Sequence, residues 1–160
     1  MKSYHILNCD KQQKIADSLY GYYVGLTANR QVTEFWNHLT REEIKNYFSI
    51  PNNPTKIWFD SLGLKVRDMS FTIYNENIST DIHRDEPPVV AKINFPVLNT
   101  KDTYNVWYDD YANEIDKVEC DRPIVLRSDI LHTVEIGESA SFPRLQFSFC
   151  FYKEPLDLLQ

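Results

Sequence analysis

The sequence predicts a mainly β protein of the double-stranded β-helix (jelly-roll, cupin-like) class, preceded by a segment with helices. Its 160 residues include 10 Tyr, 9 Phe and 3 Trp but 4 Gly, and aromatic side chains fit the half-buried surface of a sheet. Helical spacing of apolar residues ends near residue 65. Beyond it, short apolar runs alternate with clusters of turn residues, which is typical of a β-sandwich or barrel.

The length supports a single domain, because 160 residues build one good core but not two ordinary domains. We expect a helical and mixed N-terminal segment over 1–65, a jelly-roll core over 66–152 and a C-terminal tail over 153–160.

Helix signals are confined to the N-terminal segment. Asp10 is suited to cap a first helix. Thr40 and Glu43 have the spacing of a capping box, which predicts the start of a second helix. Gly63 is suited to end a third. The predicted helices span 11–22, 41–48 and 55–62.

Eight strands are predicted in the core segment, which suggests the jelly-roll topology. They span 66–74, 78–83, 89–97, 104–109, 115–120, 123–127, 132–136 and 144–152. In that topology the first strand pairs with the eighth and the second with the seventh. Residues near 83 and near 132 are therefore expected to be neighbours in space.

The charge balance argues against duplex nucleic acid as a partner. The sequence has 17 Lys and Arg against 23 Asp and Glu, for a net charge of −6, and it has no basic cluster to neutralise phosphates. No apolar run approaches the ~18 residues of a membrane helix, and no signal peptide is recognisable. We therefore expect no membrane partner.

Three cysteines, Cys9, Cys120 and Cys150, are far apart and lack a C-x-x-C spacing. This pattern predicts neither a disulfide framework nor a cysteine zinc site. A reducing, cytoplasmic location follows as the expectation.

The most informative residues lie near the ends of two predicted strands. His83 and Asp85 are two residues apart, so an extended chain presents both to the same face. His132 opens the seventh strand, which the topology places beside them. Two imidazoles and one carboxylate on one face of a metal suit non-haem Fe(II), because the remaining positions stay open. The other histidines, His5 and His38, have no evident partner.

A buried arginine is predicted at the start of the last strand. Arg144 lies in an aromatic β segment, where an unpaired guanidinium is costly, and a carboxylate is its best partner. The tripeptide His83-Arg84-Asp85 also occurs in protein-kinase catalytic loops. Val90 stands where that loop needs an Asn, and the Gly-rich loop is missing, so the kinase interpretation fails.

Taken together, these motifs resemble the 2-oxoglutarate- and Fe(II)-dependent oxygenases. The resemblance covers about Val66 to Tyr152 and rests on His83-Arg84-Asp85, on His132 within Asp129–Val134, and on Arg144 within Pro143–Ser148. The segment Ile93–Thr100 looks like the third core strand of small bacterial and phage members.

The resemblance implies a role for each matched residue. His83, Asp85 and His132 would bind Fe(II), and Arg144 would pair with the distal carboxylate of 2-oxoglutarate. Tyr74 would assist at that carboxylate, and Asn94 would hold the other end of the cosubstrate. The implied activity is a dioxygenase that uses O2 and hydroxylates a substrate with release of succinate and CO2.

One departure from the family pattern concerns the distal carboxylate. Some members have Ser two residues after the arginine, where this chain has Gln146. The sequence therefore does not identify the residue that makes the second contact to the distal carboxylate. Ser148 and Tyr74 are the candidates to take the place of the serine.

Several alternatives stay open at this level. Tyr74 could be a core tyrosine, and Asn94 could be satisfied by backbone groups. The protein could be a non-enzymatic jelly-roll binding module, or a cupin-like metal enzyme that does not use 2-oxoglutarate. The expected substrate is a small molecule or a peptide, bound between the N-terminal segment and residues 101–114 with Trp107.

Overall fold

The computed structural model describes residues 2–78 and 80–160. Its strands are β1 (Tyr4–Ile6), β2 (Phe35–His38), β3 (Val66–Tyr74), β4 (Ala91–Leu98), β5 (Thr103–Tyr108), β6 (Glu114–Glu119), β7 (Ile124–Arg127), β8 (His132–Ile136) and β9 (Arg144–Phe151). Its helices are α1 (Gln12–Asn29), α2 (Arg41–Phe48), α3 (Pro54–Ser61) and the 3-10 helix Leu156–Leu159.

The strands form two antiparallel sheets. Six lie in the order β1-β7-β4-β9-β3-β2, and three lie in the order β6-β5-β8. The first and last predicted core strands, β3 and β9, pair along their length, with Tyr74 opposite Arg144. The predicted mainly β, jelly-roll fold is confirmed.

The alternation of side chains along β9 separates the core from the functional face. Leu145, Phe147, Phe149 and Phe151 belong to the hydrophobic core. Phe59 of α3 packs edge-on against the last two, with ring centroids 4.9 and 5.0 Å away. Because alternate residues point to opposite faces, the remaining side chains of β9 point away from the helices.

The N-terminal helices begin and end within one residue of the prediction except at the end of α1, but the predicted cap at Asp10 was wrong, because Lys11 is the N-cap residue of α1 and no side-chain cap hydrogen bond is formed there. α2 has the predicted bounds, and its capping box is formed, with Thr40 Oγ1 accepting from Glu43 N at 3.1 Å and Glu43 Oε1 accepting from Thr40 N at 2.9 Å. The predicted end of the first helix at residue 22 was wrong. α1 continues to Asn29 because Leu26, one turn further on, is buried in the core.

The predicted strand 78–83 was also wrong. Ser79 lies outside the described residues, and among the others only His83 forms a bridge, with His132. Hydrogen bonds of threonine side chains take the place of regular backbone pairing between this segment and β8. Thr80 Oγ1 accepts from Val134 N at 3.2 Å, and Thr133 Oγ1 donates to the Thr80 carbonyl at 3.0 Å. The segment is thus held against β8 without regular strand geometry.

Two short edge strands were not predicted. β1 and β2 have three and four residues, too few for a periodic pattern, and they are strands because β7 and β3 pair with their backbones. Residues 153–160 pack onto the sheet through Glu154, whose Oε2 accepts from Ala91 N at 2.9 Å. None of the described helices is long and apolar enough to cross a bilayer.

Candidate functional site

A cavity of about 570 Å³, here called the central cavity, lies between the two sheets. Five of the six residues that the sequence singled out line it, namely Tyr74, His83, Asp85, Asn94 and His132. The sixth, Arg144, is fully buried just beyond the wall. The fold therefore brings together residues that are up to 70 positions apart in sequence.

The predicted cluster of two imidazoles and a carboxylate is formed in the wall of the cavity. Asp85 Oδ1 lies 3.7 Å from Nε2 of His83 and 3.7 Å from Nε2 of His132. One ligand atom from each of the three residues lies within 4.8 Å of the others. The imidazole rings of the two histidines are 4.6 Å apart.

Backbone hydrogen bonds fix the positions of these three residues. His83 N donates to the carbonyl of His132 at 3.0 Å, and His132 N donates to the carbonyl of His83 at 2.9 Å. Asp85 N donates to the carbonyl of Ser128 at 2.8 Å. The loop that carries His83 and Asp85 is therefore anchored to β8 and to the turn before it.

The hydrogen bonds of the imidazoles also decide their tautomers. Nδ1 of His83 lies 2.9 Å from the carbonyl oxygen of Asp81, and Nδ1 of His132 lies 2.7 Å from that of Ile130. A carbonyl oxygen only accepts, so each Nδ1 carries a proton. In the neutral rings Nε2 then has a free lone pair, which is the form that binds metals.

Charges around the cluster favour the ligand forms of Asp85 and His132. Burial alone would raise the pKa of the Asp85 carboxyl, but the Lys92 ammonium, 2.7 Å from Oδ2, outweighs it and holds that pKa below its ordinary value. Burial, together with Lys92, lowers the pKa of His132 to about 4. Near neutral pH the carboxylate is therefore ionised and the His132 imidazole is neutral.

These donors fit a metal of the type that the sequence suggested. A first-row metal binds imidazole nitrogen or carboxylate oxygen at about 2.1 Å, so one ion can bridge atoms that lie 3.7 Å apart. Two imidazoles and one carboxylate, with no thiolate among them, are a suitable set for non-haem Fe(II). Because Lys92 binds Oδ2 of Asp85, Oδ1 is the oxygen of this carboxylate that is available to a metal.

Arg144 is a buried cation that has no carboxylate partner within residues 2–78 and 80–160. Its exposure is 0%; Nε donates to Thr103 Oγ1 at 3.1 Å and Nη2 to Gln146 Oε1 at 3.0 Å. Nη1 is buried and has no hydrogen-bond partner within the described chain. Because an unsatisfied buried guanidinium is costly, this arrangement fits an anion bound beside it.

Tyr74 and Asn94 both line the central cavity. Tyr74 places its ring 5.5 Å from the Arg144 guanidinium carbon. Asn94 Oδ1 accepts a 2.7 Å hydrogen bond from Ser148 Oγ on the adjacent strand, so a side chain, and not the backbone, satisfies that oxygen. Their roles toward a cosubstrate remain predictions.

The walls of the cavity differ in part from the expectation. Trp107 is fully buried and stacks on Tyr4, with ring centroids 5.2 Å apart, so it belongs to the core and not to the cavity. Phe35, Trp36 and His38 of β2 do line the cavity, as expected for the N-terminal segment. Trp36 is 60% exposed and packs 5.4 Å from the His38 ring.

Sequence reasoning missed Lys92 as a site residue. A signal was available, because Lys92 lies two residues before Asn94 in the predicted strand 89–97, and alternate strand residues share a face. A lysine on the inward face of a central strand requires a carboxylate nearby.

Comparisons with models of protein families and with curated proteins find no match. Several solved structures are similar in fold. A Pseudomonas putida prolyl-4-hydroxylase has 13% identity and a TM-score of 0.58, over 93% of this chain and 91% of that one. A Trichoplax adhaerens prolyl hydroxylase, in complex with a hypoxia inducible factor peptide fragment, has 11% identity and a TM-score of 0.56, over 99% and 87%.

A third similar structure is a viral collagen prolyl hydroxylase from Paramecium Bursaria Chlorella virus-1. It has 9% identity and a TM-score of 0.52, over 96% of this chain and 91% of that one. At these identities the similarity establishes the fold. The chain has the jelly-roll fold found in prolyl hydroxylases.

Proposed function

We propose that the protein is an Fe(II)- and 2-oxoglutarate-dependent dioxygenase that hydroxylates its substrate. The observation that carries the proposal is the presence, around one cavity, of a cluster of two imidazoles and one carboxylate and of a buried guanidinium whose Nη1 has no hydrogen-bond partner among the described residues. The first suits Fe(II), and the second suits the far carboxylate of 2-oxoglutarate. The similarity in fold to prolyl hydroxylases supports the same assignment.

Each side chain has a defined task in this proposal. His83, Asp85 and His132 hold the metal, and their backbone contacts keep the three donors on one side of it. Bound Fe(II) and 2-oxoglutarate supply the oxidation, in which one O2 and one 2-oxoglutarate give succinate, CO2 and a C–H bond converted to C–OH. Arg144 and Tyr74 orient the cosubstrate at the inner end of the cavity.

The mouth of the cavity is the proposed substrate site. Phe35 and Trp36 stand there with 38% and 60% exposure, and they provide a surface against which an apolar part of a small molecule or peptide can pack. Of the two expected substrate classes, a small molecule or a peptide, the second is supported by the peptide fragment in complex with the Trichoplax adhaerens neighbour. The narrower assignment to small bacterial or phage members rests on Ile93–Thr100 alone.

The test is oxygen-dependent formation of succinate. The wild type, given Fe(II), 2-oxoglutarate and ascorbate in air, is expected to produce succinate above the rate of the protein-free mixture, and His132→Ala is expected to match that background. Equal background rates for both proteins, with both folded, would refute the proposal. Iron binding without succinate would favour a cupin-like enzyme, and absence of iron binding would favour a non-enzymatic binding module.

A further inference from the structure

The carboxylate of Glu154 holds the backbone where β4 begins. Its Oε2 accepts a 2.9 Å hydrogen bond from Ala91 N, and its Oε1 accepts a longer one, of 3.4 Å, from Val90 N. The pairing of β4 with β9 starts only at Ile93, opposite Phe149. A side chain from the segment after β9 therefore binds the N–H groups that precede this pairing.

Backbone hydrogen bonds connect this point to the loop that carries the proposed metal ligands. The carbonyl of Val90 accepts from Ser128 N at 2.9 Å, and the carbonyl of Ser128 accepts from Asp85 N at 2.8 Å. The C=O of Val90 and the N–H of Ala91 belong to one planar peptide group. Glu154 fixes that group on one side and Ser128 binds it on the other. The backbone of Asp85 is therefore held by a chain of hydrogen bonds that begins at Glu154.

A second route runs from Glu154 to the side chain of Asp85. Lys92 directly follows Ala91 in the chain, and its Nζ lies 2.7 Å from Asp85 Oδ2. The position of this ammonium follows the position of the backbone that Glu154 binds. Two contacts of Asp85, one at its backbone N and one at Oδ2, thus both depend on the segment 90–92.

Other contacts keep the segment around Glu154 docked. Leu159 belongs to the hydrophobic core, and the 3-10 helix that contains it contacts β1 and β7. Tyr152 N donates to the carbonyl of Lys65 at 3.1 Å. Because these contacts do not involve the carboxylate, the segment is expected to stay in place when Glu154 is replaced. The loss of the carboxylate should then act on residues 90–92 and not on the whole fold.

We propose that Glu154 is a positioning residue of the metal site, which fixes the ligand Asp85 through the segment 90–92. Glu154 lies outside the wall of the central cavity, so its effect is indirect. It holds the carboxylate of Asp85 in place before the metal arrives, and binding then does not have to order that side chain. This inference rests on the proposed function, in which Asp85 is a metal ligand.

The first test is anaerobic calorimetry of Fe(II) binding to the wild type, Glu154→Ala, Glu154→Gln and Asp157→Ala. Asp157 is the matched control, an exposed carboxylate in the same segment. Glu154→Ala is expected to weaken Fe(II) binding by about tenfold, and Asp157→Ala by less than about twofold. Glu154→Gln keeps the shape and one acceptor oxygen, so its affinity should lie between wild type and Glu154→Ala. It carries the test if Glu154→Ala does not fold.

The second test is hydrogen exchange of the metal-free proteins, followed by mass spectrometry well below their melting temperatures. In both Glu154 variants the amides of residues 85–92 are expected to exchange faster than in the wild type, by about fivefold in Glu154→Ala, because hydrogen bonds that protect them are lost or loosened. The amides of α2 should exchange as in the wild type. A residue with a merely structural role would accelerate exchange in both segments.

Two results would overturn the inference. Fe(II) affinity equal to that of the wild type in the folded Glu154 variants would mean that Asp85 is held without Glu154. Weaker affinity together with equally faster exchange in α2 would mean that Glu154 only stabilises the fold. By contrast, a folded wild type that does not bind Fe(II) would contradict the proposed function itself, so the two failures are distinguishable.

Discussion

Lys92 Nζ lies 2.7 Å from Asp85 Oδ2, while Oδ1 of the same carboxylate lies 3.7 Å from Nε2 of both His83 and His132. The two oxygens thus have different tasks. One is held by an ammonium from β4, and the other faces the imidazoles. This division predisposes the carboxylate to bind a metal through one oxygen only, which preserves open positions for ligands.

The Lys92–Asp85 pair should be strongly coupled in the metal-free protein. Both side chains are largely buried, with 16% and 22% exposure, so removal of either partner leaves a poorly solvated charge. Lys92→Met and Asp85→Asn are each expected to lower the free energy of unfolding by about 1–3 kcal/mol, and the double variant should lose less than the sum. Urea denaturation of the four proteins measures this coupling, and additive losses would show that the pair is incidental.

Each of the three proposed ligands should be required for iron. His83→Ala, Asp85→Ala and His132→Ala are expected to lose stoichiometric Fe(II) after anaerobic dialysis, because each removes one bond and the facial geometry. His5→Ala and Asp81→Ala are matched controls, since both are exposed and neither side chain belongs to the cluster. Full iron content in any two of the three ligand variants would contradict the assignment.

Much of the fold was predictable because its signals are local. The capping box at Thr40 and Glu43 placed α2 to the residue, and the alternation of β9 is visible in the sequence from Arg144 to Phe151. Elements that depend on a distant partner were missed. β2 is a strand because β3 pairs with it, and the segment before His83 is held by Thr80 side-chain bonds to β8.

The candidate site was predictable to the extent that topology follows from strand order. Pairing of the second and seventh predicted strands placed His83 beside His132, and the bridge between them is formed. The contacts of Lys92 with Asp85 and of Gln146 with Arg144 were not predicted. The spacing in the predicted strand places Lys92 on the same face as Asn94, but which side chain each residue contacts depends on pairing across strands and loops, and spacing does not encode that.

Lowering the pH should remove the contribution that the ionised Glu43 side chain makes to the stability of the fold. Partial burial by itself would raise the pKa of Glu43, but hydrogen bonds from Thr40 N and from Arg30, 2.7 Å away, lower it below the ordinary value. A lowered folded pKa means that the ionised form stabilises the protein above the unfolded pKa of roughly 4.3, and that this stability is lost as pH falls through the folded pKa.

Glu43→Gln should therefore be less stable than the wild type by about 1 kcal/mol at pH 7, with the difference shrinking below about pH 4.3. Thermal or urea unfolding between pH 3 and 7 measures it. Glu42→Gln, an exposed neighbour in the same helical turn, is the control and should show a smaller pH-dependent difference. Identical profiles for the two variants would contradict the role of Glu43.

Duplex DNA and RNA should bind weakly near physiological salt. The net charge of −6 gives no excess of cations to neutralise phosphates. Fluorescence anisotropy with a labelled duplex at two salt concentrations is expected to show no saturable complex at micromolar protein. A tight complex with a steep salt dependence would instead indicate a nucleic-acid substrate.

The central claim is that Fe(II) and 2-oxoglutarate bind together in the central cavity. The most direct measurement is an anaerobic titration of 2-oxoglutarate into the Fe(II)-loaded protein, followed by the weak visible charge-transfer band of the chelate. We expect a saturable band in the wild type, and in Arg144→Ala a shift of its midpoint by at least about thirtyfold with iron retained. Absence of the band in a folded, iron-loaded wild type would contradict the account.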